Sequence, residues 1–97
     1  MLFDFDREKS AANKAKHGID FVEAQALWSD PDRLEVSARS DVEQRTIVVG
    51  RIAETTWAAC VTYRHEETIR IISVRRARKR ERQEYQRFRS SDERDPG

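Results

Sequence analysis

The sequence predicts an α+β domain: two N-terminal helices, an antiparallel sheet of about four strands, and a C-terminal helix. Three observations lead there. Cap signals bracket two short helical stretches in the first third of the chain. Four apolar, β-branched runs follow, separated by turns too short for parallel crossovers. From Arg75 onward strong helix formers continue without Gly or Pro.

Leu2-Phe3-Asp4-Phe5 alternates and reads as a possible extra edge strand. Asp6 can N-cap a helix running from Arg7 to about His17, and Gly18 stands where a left-handed C-terminal residue belongs. Asp20 and Glu23 form a capping-box pair opening a second helix through about Trp28, which Asp30-Pro31-Asp32 stops. Strands are expected at Arg33 to Ala38, Glu43 to Gly50, Thr56 to Tyr63 and Thr68 to Val74. A third helix is expected from Arg75 to about Phe88. Residues 1–89 form one domain on this reading, and Ser90 to Gly97 has the polar composition of a flexible tail.

A chain of 97 residues, 37% hydrophobic and 38% charged, can bury one modest core. Its charge is unevenly spread. The first fifty residues carry seven basic and ten acidic groups, and the remaining forty-seven carry twelve and eight. Between Arg70 and Arg89 nine basic residues face only Glu81 and Glu84. So concentrated a cationic block points to a polyanionic partner, because clustered Arg and Lys gain free energy by releasing counterions from phosphates. The single cysteine, Cys60, lies in an apolar run and reads as a small buried strand residue. No apolar stretch has the length of a signal peptide or membrane span, so the expected compartment is the cytoplasm.

Three constellations could carry chemistry. Lys9, Asn13, Lys16 and His17 share one stripe of the first helix, with Ala11, Ala12 and Ala15 opposite and suited to packing on the sheet. That stripe is either a solvated face whose cations suit the helix dipole or the lining of a site with His17 as acid or base. Strict alternation places Ile69, Ile71 and Ser73 on one face of the last strand and Arg70, Ile72 and Val74 on the other. Arg70 and Arg45 then either form ion pairs, with Glu43 as a candidate partner, or clamp phosphate from an open face. On the final helix Val74, Ala77, Glu81, Tyr85 and Phe88 fall along one side, with Glu81 expected to pair with an arginine. The remaining positions form a cationic wall.

No metal-ligand spacing and no Gly-rich phosphate loop occur, so no metal or cofactor is expected. A basic, metal-free site can still cleave RNA, because the substrate's own 2′-OH serves as nucleophile. The protein then supplies proton transfer and cations for the crowded phosphate.

The pattern Phe5-Asp6-x-x-Lys9-x-x-x-Asn13-x-x-Lys16-His17-Gly18-Ile19-x-Phe21-x-x-Ala24 resembles the opening of BrnT-type toxins. Glu43-x-Arg45, then Arg70-Ile71-Ile72-Ser73-x-Arg75-x-Ala77 to Glu81-Arg82-x-x-x-Tyr85, resembles the rest of that family's signature, Val74 standing where a smaller residue is expected. The resemblance spans Leu2 to about Tyr85. It implies a RelE-like ribonuclease fold and the toxin of a type II toxin–antitoxin system, a metal-independent endoribonuclease that inhibits translation. Its implied partners are RNA and a cognate DNA-binding antitoxin, through which alone it would meet DNA, with no membrane. On these positions the implied catalytic set is Lys16, His17, Glu43, Arg45, Arg70 and Arg76, and the implied RNA contacts are Lys9, Arg75, Arg80 and Arg82. His17 and Lys16 would move protons or stabilise charge, and Glu43 would orient an arginine or act as base. Arg45, Arg70, Arg76 and Arg80 would hold phosphates. The competing reading is a non-catalytic basic module acting with a DNA-binding partner in transcriptional control.

Overall fold

The computed structural model describes residues 1–38, 43–65 and 67–94, with side chains through residue 90. The element order is β1 (Leu2–Asp4), α1 (Arg7–His17), a 3₁₀ helix (Glu23–Ser29), β2 (Leu34–Ala38), β3 (Arg45–Ile52), β4 (Thr55–Tyr63), β5 (Thr68–Arg76) and α2 (Lys79–Arg94). The strands form one five-stranded sheet in the order β1-β5-β4-β3-β2. The α+β class stands, with a mixed sheet in place of the all-antiparallel one expected. β2 through β5 form an antiparallel meander, and β1 adds parallel to β5, pairing Phe3 with Ile69 and Asp4 with Arg70. The parallel partner is possible because β1 and β5 are joined through the whole intervening fold rather than by a hairpin.

The first helix forms as its caps dictate. Asp6 accepts from the backbone N–H groups of Glu8 (2.8 Å) and Lys9 (3.1 Å). Gly18 closes the helix at φ 82°, its N–H bonded to the Lys14 carbonyl, a conformation that strains a residue with a Cβ. The second expected α-helix is instead 3₁₀. Its capping box is present, with Asp20 Oδ1 accepting from the Val22 and Glu23 N–H groups and Glu23 Oε1 accepting from the Asp20 N–H. Only seven residues then follow, and the two that must be buried, Ala24 and Leu27, are three apart. The three-residue period of a 3₁₀ turn stacks them on one side, which an α-helical turn does less well.

The alanines of α1 do not pack on the sheet as expected; Ser10 and Asn13 do. β1 ends at Asp4, leaving the outer edge of β5 bare beyond Arg70. Asn13 satisfies that edge at Val74. Its Nδ2 donates to the Val74 carbonyl (2.9 Å) and its Oδ1 accepts from the Val74 N–H (3.1 Å), as a neighbouring strand would. The same Nδ2 donates to the Ile19 carbonyl at 2.8 Å, and Ser10 Oγ accepts from the Phe21 N–H at 2.9 Å. Two small polar side chains therefore dock α1 and the segment after it without an apolar helix face. Val74, fully buried, fills the junction.

The strict alternation expected in β5 fails, because the pairing shifts between Cys60 and Val61. Cys60 faces Ser73 and Val61 faces Ile71, so Ile72 is the extra residue of a bulge. Val74 thereby joins Ile69 and Ile71 in the larger core, which also holds Phe21, Leu27, Val48, Trp57 and Val61. The opposite face carries a smaller core of Val49, Ala58, Ala77 and Tyr85, covered by α2.

Several expected boundaries move by one or two residues, and α2 begins at Lys79 and runs to Arg94 rather than from Arg75 to about Phe88. Residues 95–97 of the expected tail lie outside the described residues. Tyr85 fastens α2: its hydroxyl donates to Asp30 Oδ2 (2.7 Å), which also accepts from the Arg51 N–H (2.8 Å). Gly50 permits this approach, since a Cβ there would lie 3.1 Å from Leu27 Cδ2 and 3.2 Å from Asp30 Oδ2.

Asn13→Ala removes three buried hydrogen bonds and strands the Val74 N–H and two carbonyls. A loss of about 2–4 kcal/mol of folding stability is expected, read as a lower midpoint in urea with little change in slope. A loss below about 0.5 kcal/mol, within the range of ordinary surface substitutions, would contradict the role given to this side chain.

Candidate active site

The expected site residues separate into two groups. Glu43, Arg45 and Arg70 lie at one end of the sheet, on the face that α2 covers in part. Asp4 pairs with Arg70 across β1–β5, Arg70 with Thr62 across β5–β4, and continuing the β3–β4 register by one residue brings Thr62 beside Arg45. The two arginines thus flank buried Thr62 and stand two strands apart, about 10 Å. Each has an acidic companion. Arg70 Nη1 is 2.6 Å from Asp4 Oδ2, and Arg45 Nη2 is 3.8 Å from Glu43 Oε1. Arg45 Nε is buried with no hydrogen-bond partner among the described residues.

The second group gathers at the other end of β5. α1 starts beside the end of β1 and is pinned at Asn13 to Val74, so it runs in the direction of β5. His17 is one helical turn beyond Asn13 on nearly the same side, a rise of about 6 Å. Two residues of strand beyond Val74 cover about 6.6 Å. The last turn of α1, with half-buried His17, therefore runs toward the end of β5 that holds Arg76. Lys16 is exposed beside His17, in a last turn that also holds Lys14.

Arg76 faces the larger core. Its guanidinium carbon lies 5.8 Å from the ring centre of Trp57, its cross-strand neighbour. Among the described residues, Lys16, His17 and Arg76 make no ion pair. The distance from Arg76 back to Arg70 is about 20 Å along the strand, so the six residues of the implied catalytic set do not converge on one phosphate.

Arg75, on the opposite face from Arg76, is held by Glu81. Its Nη1 and Nη2 donate to Glu81 Oε1 (2.7 Å) and Oε2 (3.0 Å), a bidentate pair. Glu81 Oε1 also accepts from the Arg78 N–H (2.7 Å), which caps the start of α2. The carboxylate expected to pair with an arginine does so, and the helix start depends on the same group. Arg80 is almost wholly exposed and 3.6 Å from Glu84. Arg82 Nη1 donates to the Ala77 carbonyl (2.6 Å). Lys9 is exposed on α1. Arg51 was not singled out by any sequence signal; it enters only because Asp30 holds its backbone at the start of the β3–β4 hairpin turn.

The Arg75 guanidinium holds the Glu81 carboxyl below its ordinary range, against the opposing effect of burial and with help from the Arg78 N–H. A depressed carboxyl contributes stability above the unfolded-state value, and that contribution is lost as pH falls through the folded-state value. Wild-type stability should therefore decline below about pH 4.5. The decline should be shallower in Glu81→Gln, measured by urea midpoints from pH 6 to pH 3. Parallel pH profiles for the two proteins would show that the pair is not coupled to folding.

The family model for "Ribonuclease toxin, BrnT, of type II toxin-antitoxin system" matches residues 5–81. A search of curated protein sequences returned no match. Among solved structures, the chain is similar to the 1.1 Å crystal structure of the Brucella abortus ribonuclease toxin BrnT. The two share 22% identity with a TM-score of 0.59, over 81% of this chain and 100% of that one. That likeness shows a common fold, and the family model's match over residues 5–81 shows the family. The chain belongs to the BrnT family of ribonuclease toxins of type II toxin–antitoxin systems.

Proposed function

We propose that this protein is a metal-independent endoribonuclease of RelE-like type whose reactive centre lies at the C-terminal end of β5. The observation that carries this reading is the Asn13–Val74 anchor, from which the last turn of α1, with Lys16 and His17, runs on toward the end of β5 that holds Arg76. An imidazole, with one ring nitrogen that can accept a proton and one that can donate, suits proton transfer. Arg76 and Lys16, without carboxylate partners among the described residues, suit a phosphate that gains charge in the transition state. The substrate's 2′-oxygen attacks the adjacent phosphorus as its proton leaves, and the bond to the 5′-oxygen breaks as that oxygen is protonated. The products are a 2′,3′-cyclic phosphate and a free 5′-hydroxyl.

Glu43, Arg45 and Arg70, about 20 Å away, are better suited on this reading to a flanking part of the RNA. Their carboxylates hold the guanidinium groups oriented and reduce the net charge that a scissile phosphate would meet. The cognate antitoxin, expected to bind DNA, would neutralise the toxin by covering its cationic surface. RNA cleavage is also the basis expected for inhibited translation, in the cytoplasm.

The test is cleavage of naked RNA in excess EDTA, scored for 2′,3′-cyclic phosphate ends, and repeated with ribosomes. His17→Ala and Arg76→Ala should each lower the rate by about 10²-fold or more while remaining folded. Arg45→Ala should cost far less. The reverse ranking would move the reactive centre to the Arg45–Arg70 row. No cleavage under either condition would leave the binding-module reading.

A further inference from the structure

Beside the reactive end of β5, α2 presents Lys79, Arg82, Gln83 and Gln86 at i, i+3, i+4 and i+7, a single helical stripe. The stripe lines a groove of about 410 Å³ against the β3–β4 hairpin, whose Arg51, Glu54 and Thr56 form the other wall. Buried Tyr85 forms its floor. Three cations face one carboxylate. Neither Arg51 nor Lys79 has an ion-pair partner among the described residues, and Arg82 spends one guanidinium nitrogen on the Ala77 carbonyl. Both walls are held in place: the Arg51 N–H by Asp30, and the helix by Tyr85 on the same carboxylate. The Ala77 N–H donates to the Thr56 carbonyl (2.9 Å), so the groove begins one residue beyond the Trp57–Arg76 pair.

We propose that this groove is a second RNA subsite, which grips the single strand as it leaves the reactive end. Arg51, Lys79 and Arg82 hold phosphates, and the Gln83 and Gln86 amides with the Thr56 hydroxyl offer donors and acceptors to a base edge. An acidic polypeptide would also meet the cations. In the groove itself its apolar anchors would find only buried Tyr85, whereas a nucleic acid needs no such anchor. The proposal rests on the chain's reading as an RNA-cleaving enzyme and adds the path of its substrate.

The experiment measures binding of a 2′-O-methyl oligoribonucleotide of about ten nucleotides, which cannot be cleaved, across a range of salt concentrations. Lys79→Gln and Arg51→Gln/Lys79→Gln are compared with wild type, with circular dichroism confirming the fold. The double variant should bind about tenfold more weakly at low salt. Its log Kd against log salt should flatten by about 1.4, the loss of two single-strand phosphate contacts. Lys79→Gln, on the exposed first turn of α2, should give about half that flattening even if the double variant misfolds. A dinucleotide, too short to reach the groove, should be cleaved at the wild-type rate by both. Wild-type affinity and slope in the folded variants would overturn the subsite while leaving the enzyme reading intact. Absence of RNA binding and cleavage in wild type would remove both. Selective loss of poly-glutamate binding, with RNA binding kept, would overturn the subsite in favour of a protein partner.

Discussion

A single amide ties α1 directly to the backbone of the sheet. Asn13 pairs with both backbone groups of Val74, ties back the Ile19 carbonyl, and so replaces the strand that β1 is too short to provide. α1 has almost no apolar face with which to dock, so its position depends on polar groups that have one geometry rather than on an apolar surface that could slide. An apolar contact would contribute comparable stability but would not set the helix along its axis to within a fraction of a turn. Through that setting, the last turn of α1, with Lys16 and His17, runs toward the end of β5 that holds Arg76.

The charges separate by the same logic. Arg70, Arg75 and Arg45 rise from the sheet face and each has a carboxylate close by, from Asp4, Glu81 and Glu43. These pairs orient the guanidinium groups and, for Glu81, begin a helix. Several other cations, among them Arg76, Arg51 and Lys79 around the junction of β5 and α2, have no ion-pair partner among the described residues. The nearly neutral total charge conceals this, because the acidic groups are spent on structural pairs in one region and are scarce in another.

The caps of α1, the strand meander and the arginine-rich helix were legible in the chain because each rests on local rules. Asp6, Gly18 and the Asp20–Glu23 pair act within a few residues of themselves, and they appear in the fold as read. The failures lie where the deciding contact is distant. Asn13 looked like one more polar residue on a solvated stripe, since nothing local announces a partner sixty-one residues away. The bulge at Ile72 inverted the expected face of Val74, because register depends on a strand whose pairing the sequence does not specify. The short 3₁₀ helix followed from where Ala24 and Leu27 must be buried, not from propensity. Family motif positions singled out polar candidates, yet gave no sign that these divide between the two ends of β5. The cationic groove was half legible, as a helical stripe, while Arg51 was not.

The central claim is that RNA engages the end of β5 which Asn13 sets beside α1. Amide chemical-shift mapping of the ¹⁵N-labelled protein with an uncleavable 2′-O-methyl RNA addresses it most directly. The account predicts that the largest changes fall on His17, Gly18, Arg76, Ala77 and Thr56, with smaller ones at Arg45 and Arg70. Changes confined to Arg45, Thr62 and Arg70, with the end of β5 unmoved, would contradict it.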